Sequence, residues 1–252
     1  MQYHSVFGKS GYAIPCISAI NGQEKTVCII SHGFGSSKES ITAMMLLKAL
    51  PQKGIGAIAF DFPAHGSSPV YGDELRVGTC IQALEDVEAY VRETVPEAEV
   101  VYFSSSFGAY INLQYLSGGE RRKGHTGKSF LRSAAVNMPE LFLNPTEEEQ
   151  TELRENGFIM LEYDTRPIKL TTAFVEDLAH HDLFQCNHVG GDRICMIHGE
   201  ADETILVQHA RRFAAKFQIP LTVVPSGDHS LSIPGAPEQV LEHALRFFGC
   251  NE

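Results

Sequence analysis

Short apolar runs and segments with helical spacing alternate along most of this chain. In the segment 77–95, for example, Val77, Ile81 and Leu84 recur at the spacing of one helix face. We predict strands at 3–7, 12–20, 26–31, 55–60, 99–104, 131–136, 192–198 and 221–224, and helices at 39–51, 77–95, 107–117, 206–217 and 237–248. Such alternation favours an α/β fold, in which helices cover both faces of a mostly parallel sheet. The 252 residues, of which 43% are hydrophobic, are enough for a single domain spanning 1–252.

Residues 138–190 interrupt this alternation. The stretch is long for a connection between a strand and a helix, and it carries an acidic run at 147–149. Its large apolar residues are Met138, Phe142, Phe158, Met160, Phe174 and Leu178. We predict that the stretch is inserted after the strand 131–136 as a lid. The alternative is that it belongs to the main domain.

The composition limits the classes of partner. A net charge of −11 argues against nucleic-acid binding, which favours a basic surface. The six cysteines show no Cys-x-x-Cys pattern, and we expect buried free thiols such as Cys28 and Cys195. The chain shows neither a basic leader followed by an apolar stretch nor a run of about 20 apolar residues. We therefore expect a cytoplasmic protein that acts on small molecules away from the membrane.

A tight turn of small residues joins the predicted strand 99–104 to the predicted helix 107–117. Ligands bind beyond the carboxyl ends of parallel strands, so this turn lies where a site is expected. Its sequence, Ser104-Ser105-Ser106-Phe107-Gly108, matches the nucleophile-elbow pattern Gly-x-Ser-x-Gly except at the first glycine. We interpret Ser106 as a candidate nucleophile. The alternative is a serine-rich helix cap, because serine is favoured at that position.

A serine hydroxyl needs a base, and the base needs a carboxylate to orient it. His229 follows the last predicted strand in a glycine-containing loop, at the same edge of the sheet. The segment after the strand 192–198 contains three acidic residues, Glu200, Asp202 and Glu203. Spacing within one loop does not choose among these three acids.

The glycine-rich loop after the strand 26–31 reads His32-Gly33-Phe34-Gly35-Ser36. Glycines let the backbone turn so that its amides can point at an anion, as in an oxyanion hole. A dinucleotide-binding loop is the alternative, but Lys38 stands where the third glycine of that fingerprint belongs. Adjacent His180 and His181 would point about 100° apart on a helix, so we expect no metal site there.

Five segments occur in an order that resembles the α/β-hydrolases, and within them the cinnamoyl/feruloyl esterase and serine aminopeptidase-like branch. These segments are His32-Gly33-Phe34-Gly35-Ser36, Asp61-Phe62-Pro63-Ala64-His65-Gly66-Ser67-Ser68, the elbow at Ser106, His198-Gly199-Glu200-Ala201-Asp202 and Gly227-Asp228-His229. The resemblance implies an α/β-hydrolase fold with a short lid insertion. It selects Asp202 as the acid, and it implies that the amides of Phe34 and Phe107 form an oxyanion hole. The order Ser106, Asp202, His229 is also that of the family.

Two positions depart from the pattern of the family. Ser104 stands at the first glycine of the elbow, and Ala64 stands at a glycine of the Asp61 segment. Both replacements are small residues.

Together these features predict a serine hydrolase that needs no cofactor and no metal. We expect its substrate to be a small-molecule carboxylic ester of a small to medium acyl or aromatic acid, cleaved through an acyl-enzyme. A peptidase, thioesterase or acyltransferase could use the same three residues, and a non-catalytic binding protein could share the fold. A homodimer is also compatible with the sequence.

Overall fold

An eight-stranded sheet forms the centre of the computed structural model, which describes residues 1–118, 127–142 and 146–250. The strands of this sheet are β1 (Gln2–Val6), β2 (Ile14–Ala19), β3 (Thr26–Ser31), β4 (Ile55–Phe60), β5 (Glu99–Ser105), β6 (Ser129–Arg132), β9 (Ile194–Gly199) and β10 (Leu221–Val224). Two further strands, β7 (Phe158–Leu161) and β8 (Ile168–Thr171), form a separate hairpin. The helices are α1 (Ile41–Gln52), α2 (Val77–Thr94), α3 (Phe107–Ser117), α4 (Met138–Phe142), α5 (Glu147–Asn156), α6 (Thr172–Ala179), α7 (Val207–Phe217) and α8 (Ala236–Phe248). The predicted α/β architecture is confirmed.

The strand order of the large sheet is β1-β2-β4-β3-β5-β6-β9-β10. The first two strands pair antiparallel, and the six strands from β4 to β10 are parallel to one another. The chain adds β4 on one side of β3 and β5 on the other, so the strand order reverses at β3. Ligands bind at the carboxyl ends of the strands at such a reversal. The glycine-rich loop after β3 and the turn after β5 both begin there.

Two hydrophobic cores cover the two faces of the sheet. Along β3, Val27 and Ile29 belong to the core beneath α2 and α3, whereas Cys28 and Ile30 belong to the core beneath α1 and α8. A strand that is buried on both faces has a continuous apolar sequence, which explains the unbroken run in β3. Cys28 is a buried free thiol as predicted, whereas Cys195 is free but only partly buried. Within the described ranges, no helix is long and apolar enough to cross a membrane.

The strand predicted at 131–136 lies earlier and is shorter than expected. It spans Ser129–Arg132, and the backbone then leaves the sheet at Ser133, whose φ is 48°. The amide of Ser133 bonds to the Ile197 carbonyl, and the amide of Ala135 bonds to the Ser106 carbonyl. The buried apolar residues after Ser133 suggested a strand, but their backbone instead packs against the end of β5.

The predicted insertion at 138–190 lies between β6 and β9 and contains α4, α5, the β7–β8 hairpin and α6. Helix α5 begins at a capping box formed by Thr146 and Glu149, and it ends at Gly157 with φ 75°. The sequence indicated helical patches here but did not reveal the hairpin. Each of its strands has four residues, too few for an alternating pattern to stand out.

Side chains and backbone groups attach this insertion to the main domain. Asp177 accepts a hydrogen bond from the first amide of α2, at Val77, with an O···N distance of 2.7 Å. Arg166 donates to the Ser68 carbonyl at 2.8 Å, and the Tyr110 hydroxyl donates to the His181 carbonyl at 2.9 Å. The insertion is therefore fixed to the loop after β4 and to helices α2 and α3.

Buried Asp61 joins the two loops that follow β3 and β4. Its carboxylate accepts hydrogen bonds from the Lys38 amide at 2.7 Å, the Lys38 ammonium at 2.9 Å and the Ser67 amide at 2.9 Å. Burial raises the pKa of Asp61, but nearby His32 and the hydrogen bonds from Lys38 and Ser67 shift it below its usual value. Ala64, in the same loop, has φ 65°, a conformation in which glycine is the least strained residue.

Lys38→Met should reduce the free energy of unfolding by about 3–5 kcal/mol, because it leaves the buried Asp61 carboxylate without its cation. Urea denaturation at pH 7 measures this loss. The lowered pKa of Asp61 means that its stabilising contribution is present above about pH 4 and fades as the pH falls further.

The surface pair of Lys169 and Asp73 is the matched control. Its N···O distance is 2.8 Å, but the two side chains are 32% and 64% exposed. Lys169→Met should therefore change stability by about 1 kcal/mol or less. Equal losses in the two variants would show that the Lys38–Asp61 pair does not anchor these loops.

Candidate active site

Ser106 occupies a strained turn between β5 and α3. Its φ and ψ are 50° and −112°, a combination that is rare for any residue other than glycine. The surroundings hold it there, because its amide donates to the Arg132 carbonyl at 2.9 Å and its carbonyl accepts from the amides of Tyr110 and Ala135. Strain of this kind persists only where neighbouring structure enforces it, and it is concentrated at functional sites.

Gly108 allows α3 to approach β3 closely. A Cβ atom at this position would lie 2.6 Å from the His32 carbonyl oxygen and 2.8 Å from the Ser31 Cβ atom. Ser104, at the other small position of the turn, is fully buried and pairs with Ser31 across the two strands. In the described structure neither of these two hydroxyls has a hydrogen-bond partner. The turn therefore accommodates the extra hydroxymethyl group of Ser104 at the expense of one unsatisfied hydroxyl.

His229 lies between Ser106 and Asp202. Its Nε2 atom is 3.0 Å from the Ser106 Oγ atom, and its Nδ1 atom is 2.8 Å from the Asp202 Oδ2 atom. The imidazole side chain is 25% exposed, whereas the Asp202 carboxylate is completely buried. The structure therefore brings the three predicted catalytic residues into one line of hydrogen bonds.

Burial distinguishes Asp202 from the neighbouring acids. Glu200 and Glu203 are exposed, and Asp202 is the one of the three that contacts His229. The amides of Thr204 and Ile205 donate to its other oxygen at 2.9 and 2.8 Å. Burial raises the pKa of Asp202, but the hydrogen bonds from His198, His229 and Ile205 outweigh it and keep the pKa well below its usual range. The carboxylate is therefore ionised where it meets the imidazole.

His198 also contacts Asp202, which sequence reasoning did not anticipate. It is fully buried at the end of β9, and its Nε2 atom lies 3.1 Å from Asp202 Oδ2 and 2.7 Å from the Ile205 carbonyl oxygen. The spacing of four residues between His198 and Asp202 was visible in the sequence. From the sequence, His198 was noted only as part of a motif, because nothing in the sequence indicated that the side chains of His198 and Asp202 both point inward.

The segment after β6 positions the loop that carries His229. The Ser133 hydroxyl donates to the His229 carbonyl at 2.7 Å, and the Arg132 guanidinium donates to the Ser230 carbonyl. Arg132 also donates through Nε to the Ser105 hydroxyl at 3.1 Å. These two residues were missed because the predicted strand continued through them to 136, which implied ladder positions rather than contacts with a loop.

The glycine-rich loop after β3 lies against Ser106. A Cβ atom on Gly33 would lie 3.4 Å from the Ser106 Cβ atom, so the loop backbone approaches the serine closely. The amide of Phe107 is the first of α3 and has no acceptor within the helix. Neither this amide nor that of Phe34 donates a hydrogen bond to another residue in the described ranges. Both predicted oxyanion donors are therefore available to a ligand.

Phe34 is the centre of an aromatic cluster that the insertion completes. Its ring centroid lies 5.4 Å from that of Phe107 in the main domain. From the insertion, Phe142, Tyr163 and Phe174 approach the same ring at 5.3, 5.9 and 6.2 Å. The insertion therefore covers the residues next to Ser106. Met160, by contrast, is 47% exposed and takes no part in this cluster.

A cavity of about 170 Å³ opens beside Ser106 and His229. Phe34 lines it, and hydroxyl groups form much of its wall, together with Arg132. Besides Ser106, the hydroxyl-bearing residues of the lining are Ser31, Ser36, Ser40, Thr42, Ser105 and Ser230. Across the parts of the chain that are described, no cluster of three histidine, cysteine, aspartate or glutamate side chains is arranged to hold a metal ion.

The strand order, the strained turn at Ser106 and its hydrogen-bonded partners define an α/β hydrolase. A family model described as "Serine aminopeptidase, S33" matches residues 22–245. Because this match covers most of the chain, the protein belongs to the S33 serine aminopeptidase family of hydrolases. The resemblance inferred from the sequence motifs is confirmed.

Several solved structures share this fold. A putative hydrolase from Agrobacterium vitis S4 superposes with a TM-score of 0.79 at 22% identity, covering 98% of both chains. Est1E from Butyrivibrio proteoclasticus, solved with ferulic acid bound, gives 0.77 at 17% identity and also covers 98% of both chains. The esterase Pf2001 from Pyrococcus furiosus gives 0.71 at 16% identity, covering 98% of this chain and 90% of its own. A sequence comparison with curated proteins found no match.

Gly108→Ala should disrupt the turn, because the new methyl group would overlap the backbone of His32 and Ser31. We expect a loss of about 1–3 kcal/mol in the free energy of unfolding, typical of overpacking, and a larger proportional loss of activity as the Ser106 turn shifts. Thermal denaturation and hydrolysis of a small activated ester measure the two effects.

Gly78→Ala is the control for this substitution. Gly78 is also helical, but a Cβ atom there would meet no heavy atom within 4 Å. Alanine is a better helix former, so this variant should be as stable as the wild type or up to about 1 kcal/mol more stable. A Gly108→Ala variant that behaved in the same way would refute the close approach of α3 to β3.

Proposed function

We propose that this protein is a serine hydrolase that cleaves carboxylic esters of small to medium acyl or aromatic acids through an acyl-enzyme. The observation that carries this proposal is the continuous hydrogen-bond chain from Asp202 through His229 to Ser106, which is set on a strained turn. This arrangement has the geometry of a nucleophile, a base and an orienting acid.

The first step is attack of Ser106 on the ester carbonyl. His229 donates its Nδ1 proton to the Asp202 carboxylate in a hydrogen bond, which leaves Nε2 free to accept the Ser106 hydroxyl proton. As Ser106 Oγ forms a bond to the carbonyl carbon, the imidazole becomes an imidazolium. The buried, ionised carboxylate of Asp202 stabilises that cation.

The developing oxyanion needs donors that are already in place. The amides of Phe34 and Phe107 fill this role in the proposal, since they flank Ser106 and donate to no other described group. Donors fixed in this way contribute several kcal/mol to many acyl-transfer reactions. The carbon–oxygen bond to the leaving alcohol then breaks, and that oxygen takes the proton from His229 Nε2.

Water completes the cycle by the same chemistry. His229 removes a proton from a water molecule, whose oxygen attacks the acyl carbon, and then returns the proton to Ser106 Oγ. The products are the free acid and a regenerated serine. Each step uses groups of this chain and water.

The aromatic cluster supports the expected acyl specificity. Part of it comes from residues 138–190, which we propose form a lid. Phe142, Tyr163 and Phe174 of this segment meet Phe34 beside the nucleophile. An apolar, aromatic surface beside the nucleophile suits an aromatic or short apolar acyl group. The Est1E structure, whose bound ligand is ferulic acid, is a precedent for an aromatic acid on this fold.

A peptidase is the second candidate, favoured by the family description, which names a serine aminopeptidase. The same three residues can cleave an amide, and they can also act in a thioesterase or an acyltransferase. A panel of aryl esters, acyl thioesters and aminoacyl anilides distinguishes these activities by their kcat/KM values.

Ser106→Ala should remove labelling by a fluorophosphonate probe and lower kcat for an aryl ester by about 10⁴-fold or more. Ser104→Ala is the control. It deletes a buried hydroxyl that has no partner among the described residues and should leave labelling unchanged. Mass spectrometry of the labelled peptide locates the modified residue. A non-catalytic binding protein would resist labelling in every variant.

Asp202→Asn should lower kcat by about 10⁴-fold with little change in fold, because an amide favours the wrong His229 tautomer. Glu203→Gln, one residue away and exposed, should have little effect on kcat. Steady-state kinetics on one aryl ester compares the two variants. If the Glu203 variant were the slower of the two, Asp202 would not be the orienting acid.

A further inference from the structure

Arg132 brings a positive charge to the wall of the cavity that contains Ser106 and His229. It is the last residue of β6 and is partly buried. Among the residues that line this cavity it is the one arginine, and none of the others is an aspartate, glutamate or lysine. The proposed mechanism gives this guanidinium no role.

The protein uses only part of the hydrogen-bonding capacity of Arg132. Its Nε atom donates to the Ser105 hydroxyl at 3.1 Å, and one amino group donates to the Ser230 carbonyl. Both acceptors are neutral, and a guanidinium has five N–H donors. Among the described residues no carboxylate forms an ion pair with Arg132 within 4 Å, although Asp228 and Asp202 attract it from farther away. In this part of the chain its charge therefore lacks a carboxylate in direct contact.

The two carboxylates that attract Arg132, those of Asp228 and Asp202, accept their hydrogen bonds from other groups. Asp228 accepts hydrogen bonds from the amide and hydroxyl of Ser232, both at 2.7 Å, and Asp202 accepts from His229. Burial lowers the pKa of Arg132 to about 10 despite the attraction of these two carboxylates, so the group stays protonated at neutral pH. No carboxylate of the described structure touches this partly desolvated cation, so a bound anion would give it a direct partner.

The cavity and the aromatic cluster lie towards opposite faces of the sheet. Ile30 and Ala43, which line the cavity, belong to the core beneath α1 and α8. Phe107 and Phe174 of the aromatic cluster belong to the core beneath α2 and α3. Phe34 contacts both compartments, next to Ser106. Ser106 therefore has an apolar, aromatic cluster on one side and a hydroxyl-lined, positively charged cavity on the other.

We propose that this cavity binds a carboxylate on the alcohol part of the ester, held by the guanidinium of Arg132. The inference rests on the proposed ester hydrolysis and deepens it: the substrate is a short hydroxycarboxylic acid whose hydroxyl carries an aromatic or small acyl group. Arginine suits this role because its planar fork can donate two parallel hydrogen bonds to a carboxylate. The cavity volume of about 170 Å³ lies below the 300–1,000 Å³ typical of ligand pockets, which limits the hydroxy acid to a few carbons.

The test compares O-benzoylglycolate with O-benzoylglycolamide, which differ in charge but hardly in size. Benzoate release gives kcat/KM for each, after correction for the hydroxide-catalysed rates. The wild type should prefer the anionic ester by about ten- to a hundredfold, the range expected for hydrogen bonds to a charged group. Arg132→Gln should reduce this ratio to about one, mainly by raising KM for the anionic ester. Arg132→Lys should retain part of the preference, since it keeps the charge but loses the fork.

Arg246→Gln is the matched control for net charge. Arg246 lies exposed on α8 beside Glu242 and does not line the cavity, so its removal should leave the ratio unchanged. Hydrolysis of uncharged 4-nitrophenyl benzoate tests the proposed esterase activity separately.

The proposed anion site would be wrong if the wild type showed no preference for the anionic ester. It would also be wrong if Arg132→Gln slowed both glycolate-derived esters equally, because an equal loss means that the guanidinium only holds the His229 loop. A preference for monoethyl succinate over ethyl succinamate, without one for the glycolate, would place the carboxylate on the acyl side and overturn the proposal.

Discussion

The close approach of α3 to the end of β3 governs the geometry of this protein's candidate site. It requires the bare Cα of Gly108 next to the His32 and Ser31 backbone, and it forces Ser106 into a left-handed conformation. That turn aims the serine hydroxyl at His229 and leaves the Phe107 amide at the head of the helix. The same contact places the glycine-rich loop beside Ser106. The local strain and the arrangement of the candidate site thus both depend on one steric fit.

Much of the candidate site was predictable from the sequence, because its residues directly follow the predicted strands. Ser106 and His229 follow apolar runs that were predicted as strands, so their meeting at one edge follows from parallel pairing. The choice of Asp202 over Glu200 and Glu203 depends on which side chain turns inward, and spacing alone does not encode that. Arg132 and the β7–β8 hairpin were missed for a related reason: tertiary contacts, rather than local pattern, decide where β6 ends and where a four-residue strand can form.

Supporting groups outnumber the reacting ones at this edge of the sheet. His198 and two backbone amides hold the carboxylate of Asp202, and Ser133 and Arg132 hold the loop of His229. On the other side, the Lys38–Asp61 pair fixes the glycine-rich loop. Each group of the candidate site is therefore positioned by contacts from a different strand end, which is how a rigid sheet can impose precise geometry on the loops that follow it.

Ser104 shows that the nucleophile elbow tolerates more residues at its first small position than the pattern Gly-x-Ser-x-Gly allows. The turn keeps the positive φ of Ser106 and the close helix although a buried serine stands at its first glycine position. Ala64 likewise keeps a positive φ where the motif that this sequence resembles has glycine. A genome scan for Gly-x-Ser-x-Gly would pass over this chain. A pattern that demands glycine only after the nucleophile, and any residue no larger than serine before it, would recover such hydrolases from sequence databases.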